Sequence, residues 1–231
     1  MISVIIPTFN EAKTLPALLM YLNHIPFFES ISEIIVSDGN STDDTVAIAE
    51  SYNAKIVRNS TAGRALQMNA GAKAATGTIL YFLHADSLPP RDFVNEIKNR
   101  FYDGYQGGCF RLQFDHQHWF LRFNAWFTRF NTTWFRFADQ SLFVTRDLFN
   151  SVGGFREDHM LLEYKDIIRR IKGEANFVVI PRYITTSARK YLENGIYRLQ
   201  CIYYYIFALD SFGVSHGSIV RTYQNLLTGK L

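Results

Sequence analysis

Through residues 1–90, short β-branched apolar runs alternate with stretches whose leucines and alanines recur at helical spacing. Ser3 to Pro7 is uncharged and closed by proline, the pattern of a strand buried on both faces. After a polar turn at Asn10 and Glu11, Leu15, Leu18, Leu19 and Leu22 mark one stripe of a helix. Glu33 to Ser37 predicts a second strand. Asp43 to Tyr52 predicts a second helix, entered through Asn40-Ser41-Thr42, residues suited to capping. Lys55 to Arg58 reads as a third strand, Ala65 to Ala75 as a small-residue helix stopped by Gly77, and Thr78 to Leu83 as a fourth strand. This alternation predicts a mostly parallel sheet with helices on both faces. Ligands of such sheets sit at the carboxyl ends of the strands. Thr8, Asp38 and His84-Ala85-Asp86, distant in sequence, are therefore expected to be neighbours in space.

The second half is less regular. Gly107 to Leu112 suggests a strand with a bend at its start, Asp139 to Thr145 another, and Phe177 to Ile180 a last one before Pro181. Gly153-Gly154 reads as a turn and Glu163 to Lys172 as a helix. No Ser- or Pro-rich linker interrupts the chain and no internal repeat is visible. A single domain over 1–231 is expected, with a nucleotide-binding half (1–90), an acceptor and catalytic half (91–190) and a C-terminal aromatic helical segment (191–231).

Composition narrows the function classes. The 24 Lys and Arg against 21 Asp and Glu leave a net charge of +3, too little for a dedicated nucleic-acid binder. Cys109 and Cys201 form no CxxC pair, which argues against a zinc site or a disulfide framework. The longest apolar run, Cys201 to Leu209, falls well short of the ~20 residues that span a bilayer. The chain opens Met-Ile-Ser-Val-Ile-Ile-Pro, without the basic and apolar regions of a signal peptide. A cytoplasmic location is expected. Aromatic residues reach 16%. Trp119, Phe123, Trp126, Phe127, Phe130 and Trp134 fall near helix spacing among Arg122, Arg129 and Arg136. Two readings fit: core burial, the usual meaning of periodic aromatics, or an interfacial surface on the inner face of a membrane, made by Trp119 to Phe137 and Tyr197 to Phe212.

Chemistry-bearing residues fall in an ordered series: Pro7-Thr8-Phe9-Asn10-Glu11, Ser37-Asp38-Gly39-Asn40-Ser41-Thr42-Asp43-Asp44, Gly63-Arg64 and Phe82-Leu83-His84-Ala85-Asp86-Ser87. Each closes an expected strand or opens the helix after it. With Ala138-Asp139-Gln140, Gly153-Gly154-Phe155 and Thr186-Ser187-Ala188-Arg189, the series resembles the family 2 glycosyltransferases of GT-A fold. It is most similar to small bacterial members with His-Ala-Asp in place of Asp-x-Asp. The resemblance implies an inverting, metal-assisted transfer of a hexosyl or related group from a nucleoside-diphosphate sugar to an acceptor hydroxyl, with a lipid-linked acceptor among the possibilities.

Departure of the diphosphate builds negative charge on the leaving oxygen, which a divalent cation or fixed cationic side chain must meet. Asp86, a hard oxygen ligand at a strand end, suits Mn²⁺ or Mg²⁺. His84, two residues earlier in an extended segment, would share its face as ligand or phosphate contact, or else fill the sheet edge. Asp38 can accept from a base or a ribose hydroxyl, although Asp-Gly is also turn chemistry. In the family Thr8 contacts the nucleotide and Pro7 shapes the turn that Asn10 continues. Glu11 either reaches the ribose or opens the helix. Arg64 at a helix amino end can pair with phosphate oxygens. The family's usual Glu-Asp pair reads Glu163-Tyr164 here. A phenol of ordinary pKa is a poor base, so Glu163 and Asp166 become the candidates, with Asp139 the third. Two alternatives compete: a catalytically degenerate relative that binds nucleotide sugars or docks at a membrane, and a nucleotidyltransferase. The latter would want a Gly-rich loop after the first strand, and a dinucleotide oxidoreductase would need GxGxxG. Neither motif is present.

Overall fold

A computed structural model describes residues 1–136 and 138–229. In chain order the elements are β1 (Ile2–Thr8), α1 (Leu15–Asn23), β2 (Ile31–Asp38), α2 (Thr45–Ser51), β3 (Lys55–Arg58), α3 (Arg64–Ala74), β4 (Ile79–Phe82), β5 (Ser87–Leu88) and α4 (Phe93–Tyr102). There follow β6 (Gly107–Phe114), α5 (Trp119–Trp126), β7 (Leu142–Thr145), α6 (Arg146–Ser151), α7 (Glu163–Glu174), β8 (Phe177–Thr186), α8 (Arg189–Asn194), α9 (Ile196–Ser211) and α10 (His216–Thr228). The strands form one sheet in the order β3-β2-β1-β4-β7-β6-β8-β5. β1, β2, β3 and β4 run parallel, as does the β6 and β8 pair. β7 runs antiparallel to both its neighbours, and β5 antiparallel to β8.

Strand residues alternate between two cores because successive side chains point to opposite faces. Val4, Ile6, Val36 and Tyr81 pack with the α1 leucines and with Phe93 and Ile97 of α4. Ile5, Ile35, Leu80 and Phe82 pack with Met68 of α3 and with Ile167, Ile168 and Ile171 of α7. Burial on both faces is why the strands carry unbroken β-branched runs. The small residues of α3 have a specific use. A Cβ on Gly71 would lie 2.5 Å from Ile5 Cγ2, so the helix sits close on β1. Its amino end, Gly63-Arg64, is thereby brought to the carboxyl end of the strand.

Several local expectations are corrected. α2 begins after Asp44 without a side-chain cap. Ser41 bonds to the Asp38 carboxylate and the Thr42 amide to Asn10. These residues serve a loop-to-loop network rather than the helix end. The His84-Ala85-Asp86 segment is turned, not extended, with the Ser87 amide donating to the His84 carbonyl at 3.2 Å. Ala138–Gln140 is a 3₁₀ turn, and the strand expected from Asp139 begins at Leu142. β8 continues past Pro181 to Thr186. The register jumps from Phe110↔Ile180 to Arg111↔Tyr183, so Pro181 occupies a bulge, where its missing N–H breaks no ladder bond.

The aromatic segment is corrected too. Leu121, Ala125 and Thr128 are the buried face of this region, whereas Trp119 (64%), Phe123, Trp126, Phe130 and Trp134 are exposed. Core burial therefore fails for most of the periodic aromatics. Arg136 is the reverse case, only 1% exposed, with its guanidinium donating to the carbonyls of Thr128 and Phe130. Phe137, the end of that predicted surface, lies outside the described residues. Among the described residues no helix is long and apolar enough to cross a membrane.

Candidate active site

A cleft of about 510 Å³ opens at the carboxyl ends of β1 and β4. Pro7, Thr8, Glu11, Arg64, His84, Asp86, Asp139 and Glu163 all line it. They come from the β1 end, the α3 start, the β4–β5 turn, the 138–140 turn and the α7 start. Convergence of strand ends and helix amino ends is what this sheet topology provides.

The expected site residues divide into those that reach the cleft and those that do not. Asp38 stands beside Thr8 in register but does not line the cleft. It is buried, with its carboxylate accepting from Thr8 Oγ1 at 3.3 Å and from the Ser41 amide and hydroxyl. Asn10, at φ 55°, holds the facing loop by accepting from the Thr42 amide. Asp166 does not line the cleft either. Arg170 binds its carboxylate through two nitrogens at 2.7 and 2.9 Å, Arg169 at 3.0 Å, and Arg156 stands 3.8 Å away. Three arginines thus surround the Asp166 carboxylate away from the cleft.

Glu163 enters the cleft because the chain turns sharply at Leu162, φ 60°, a left-handed conformation that is uncommon for a branched residue. α7 starts directly after it. Glu163 is 3% exposed and paired with Arg64 Nη1 at 2.8 Å. The pairing gives Arg64 a carboxylate partner and raises its pKa, since Glu163's field outweighs burial. Asp139 stays 41% exposed, with Oδ1 3.4 Å from His84 Nδ1. Burial against the cleft wall works to raise its pKa. The His84 hydrogen bond and the charges of His84, Arg64 and Lys190 outweigh it and hold the carboxyl below its ordinary range. Burial pushes the Tyr164 phenol well above its ordinary value, so Tyr164 keeps its proton.

Among the described residues Asp86 forms no ion pair, and its carboxylate accepts only a long 3.4 Å bond from the adjacent Ser87 hydroxyl. No group of three or more His, Cys, Asp or Glu among the described residues is arranged to hold a metal. One carboxylate with room beside it suits a cation that brings phosphate oxygens as its remaining ligands.

Three cleft residues escaped the sequence reading. Gln67 is buried on α3 and donates to the carbonyls of Thr8 and Ser37 at 2.6 and 2.8 Å, tying α3 to both strand ends. Its signal was an amide on the small-residue face of that helix. Lys190 and Tyr191 follow the Thr186-Ser187-Ala188-Arg189 motif directly. Lys190 Nζ lies 5.4 Å from the Tyr223 ring centroid and 5.9 Å from that of Tyr203. α9 and α10 supply the remaining wall with Tyr203, Ile206, Phe207 and Tyr223.

Known proteins share this fold and family. The family model "Glycosyl transferase family 2" matches residues 3–160. The chain is 28% identical over 219 residues to a "PGL/p-HBAD biosynthesis glycosyltransferase" of Mycobacterium bovis BCG, covering 84% of this chain and 78% of that one. Among solved structures, the mannosyltransferase PcManGT of Pyrobaculum calidifontis, in complex with GDP-Man and Mn²⁺, superposes with a TM-score of 0.73. Identity is 18%, over 97% of this chain and 69% of that one. S. aureus TarS 1–349 in complex with UDP gives a TM-score of 0.68 at 19% identity over 80% of this chain, which spans only 60% of that chain. These structural likenesses establish the GT-A fold. With the family match over most of its length, the chain is a glycosyltransferase and belongs to glycosyl transferase family 2.

Proposed function

We propose that the cleft binds a nucleoside-diphosphate sugar and a divalent cation and transfers the sugar, with inversion, to an acceptor hydroxyl. The observation that carries this reading is the meeting of Thr8, Arg64, Asp86 and Asp139 in one cleft although they lie on separate segments. Residues 1–90 serve as the nucleotide half, with Pro7 and Thr8 at its rim. Residues 91–190 provide the catalytic wall, and 191–231 close the acceptor side. Asp86 would hold Mn²⁺ or Mg²⁺ together with phosphate oxygens, and the cation would offset charge on the departing diphosphate. Arg64, at the amino end of α3, is placed to receive a phosphate. Asp139 is the general base: it is ionised at neutral pH, half-exposed in the cleft and free of a lysine or arginine ion pair among the described residues. Glu163 holds Arg64 in place. Calorimetry tests the binding half: UDP or GDP should bind more tightly with Mn²⁺ than with chelator, and Asp86→Ala should remove most of that difference. Equal affinity under all conditions overturns the metal assignment.

The acceptor side supports a peripheral membrane contact and a lipid-linked acceptor. α5 contributes Asn124 and Ala125 to the cleft, while its outer side exposes Trp119, Phe123 and Trp126. Tyr197 of α9 packs on Phe120, with ring centroids 4.8 Å apart, and the Tyr204 hydroxyl bonds to Asn124. The exposed aromatics of α5 and α9 thus form a rim beside the cleft, with Arg122 exposed among them and Arg129 stacked 4.3 Å from the Trp126 centroid. This is the composition of an interfacial surface for an anionic membrane.

A further inference from the structure

Of the lysines and arginines that line the cleft, three have partners. Arg64 pairs with Glu163 at 2.8 Å and Lys165 with Asp210 at 2.6 Å, and Arg136 donates to two backbone carbonyls. Lys190 differs: among the described residues its ammonium makes no ion pair and no hydrogen bond. It is held over two rings instead, 5.4 Å from the Tyr223 centroid and 5.9 Å from that of Tyr203. Those rings stack on each other with centroids 6.2 Å apart. Aromatic faces steady an ammonium but leave its three N–H donors open.

The wall around Lys190 adds further open donors. Gln200, only 2% exposed, accepts from the Tyr191 hydroxyl at 2.9 Å through Oε1. Burial, and after it the charge of Asp139, raises the Tyr191 pKa, so that phenol keeps its proton. The Gln200 amide nitrogen has no partner among the described residues. The buried Tyr223 hydroxyl makes no hydrogen bond of ordinary length there. Buried polar groups are nearly always paired, so an ammonium, an amide and a phenol left open on one wall mark a place that a ligand completes. Donors converging with a cation suit an oxyanion with several oxygens, as a phosphate has.

Position decides which molecule brings it. The donor diphosphate is already met by Arg64 and by the cation at Asp86. Lys190, Gln200 and Tyr223 belong to α8, α9 and α10. The charge of Lys190 acts on Asp139, the group that takes the acceptor proton. α9 also runs on to the aromatic rim through the Tyr204 bond to Asn124 and the packing of Tyr197 on Phe120.

We propose that Lys190, with Gln200 and Tyr223, binds a phosphate carried by the acceptor, so that the acceptor is an anionic molecule; this rests on the base and acceptor-side assignments above. A neutral acceptor would leave the ammonium unpaired.

Calorimetry on protein saturated with UDP or GDP and Mg²⁺ is the test, since the donor phosphate contacts are then occupied. The probes are octyl phosphate and octanol, which share a tail and differ in the phosphate. Wild type should bind octyl phosphate and bind octanol far more weakly. Lys190→Met, similar in length but uncharged, should weaken octyl phosphate about 10- to 100-fold, the range of a hydrogen bond to a charged group, and leave UDP and GDP unchanged. Lys190→Arg should retain most of the binding, and Tyr223→Phe should lose a smaller factor. Inorganic phosphate separates the sources: binding as tight as that of octyl phosphate assigns a soluble phosphorylated acceptor, and weaker binding assigns one with an apolar tail. Octyl phosphate bound equally by wild type and Lys190→Met, or no better than octanol, overturns the subsite. A loss confined to UDP and GDP gives the lysine to the donor diphosphate and overturns it too. A wild type that binds neither UDP nor GDP overturns the donor-site reading instead, and the octyl phosphate comparison on unloaded protein then decides the anion site by itself.

Discussion

Asp139 can serve as a base because its neighbours keep it charged. Burial opposes ionisation, but the His84 bond and the fields of His84, Arg64 and Lys190 prevail. A carboxyl whose pKa is depressed stays ionised as pH falls through the mildly acid range. The acid limb that it sets on kcat/KM should therefore lie below the range of an ordinary aspartate. Asp139→Asn should lower turnover about 10²- to 10⁴-fold while donor affinity changes far less. Steady-state kinetics decide this, and a loss confined to Glu163→Gln would reassign the base. Thr8 and Asp86 were legible as neighbours because sheet topology gathers strand ends, whereas Arg64 at a helix start and Asp139 in a turn were pointed to by a helix amino end and by the motif series. Asp166, a candidate base in the sequence, lies outside the cleft. Arg169 and Arg170 stand three and four positions on, within helical reach, but Arg156 arrives only through the fold. The internal use of Asp38 was equally hidden, since its partner Ser41 had been assigned to a helix cap.

At the scale of elements, one partly buried carboxylate and one glycine hold the nucleotide half together. Glu33 on β2 accepts from Ser3 of β1, from the Thr76 amide and hydroxyl, and from Lys55 of β3. Burial works against its charge, yet these donors outweigh it and lower its pKa to about 2. Since the folded value lies below the unfolded value of about 4.3, the stabilisation is complete above the latter and is lost as pH falls toward the former. Glu33→Gln should cost on the order of 1–2 kcal/mol at pH 7, and the gap between variant and wild type in denaturant unfolding should close on acidification. A gap that stays constant with pH would exclude this origin. Gly71→Ala would press a methyl into Ile5. Overpacking of about 1–3 kcal/mol should exceed the roughly 1 kcal/mol gained in helix propensity, lowering the melting temperature. The parallel strands were readable because burial on both faces leaves a continuous apolar signal. β8 was cut short because proline reads as a strand end, and a bulge that tolerates it leaves no mark in one sequence.

The whole molecule presents two surfaces of different character, a cleft that gathers charged side chains and an aromatic rim beside it. The aromatic periodicity was plain in the sequence, but its direction was not. A helix that shows Leu121 and Ala125 to the sheet and tryptophans to solvent differs from a buried one only once the sheet is placed. Anionic vesicles should sediment the protein at low salt, with binding weakened by added salt and by charge reversal at Arg122 and Arg129, at about 1 kcal/mol for each basic residue near the surface. Arg136 is unsuited to that test, because reversal would bury an unpaired charge. Protein remaining in the supernatant at low salt would assign the rim to a soluble acceptor. The central claim is that this cleft transfers a sugar from a nucleotide donor rather than merely holding one. Its most direct measurement is release of nucleoside diphosphate from UDP- and GDP-hexoses with Mn²⁺, in the presence and absence of acceptor. The account predicts release for at least one donor, accelerated by acceptor and suppressed by Asp139→Asn under conditions where that variant still binds the nucleotide. Tight nucleotide-sugar binding with no release from any donor would contradict it.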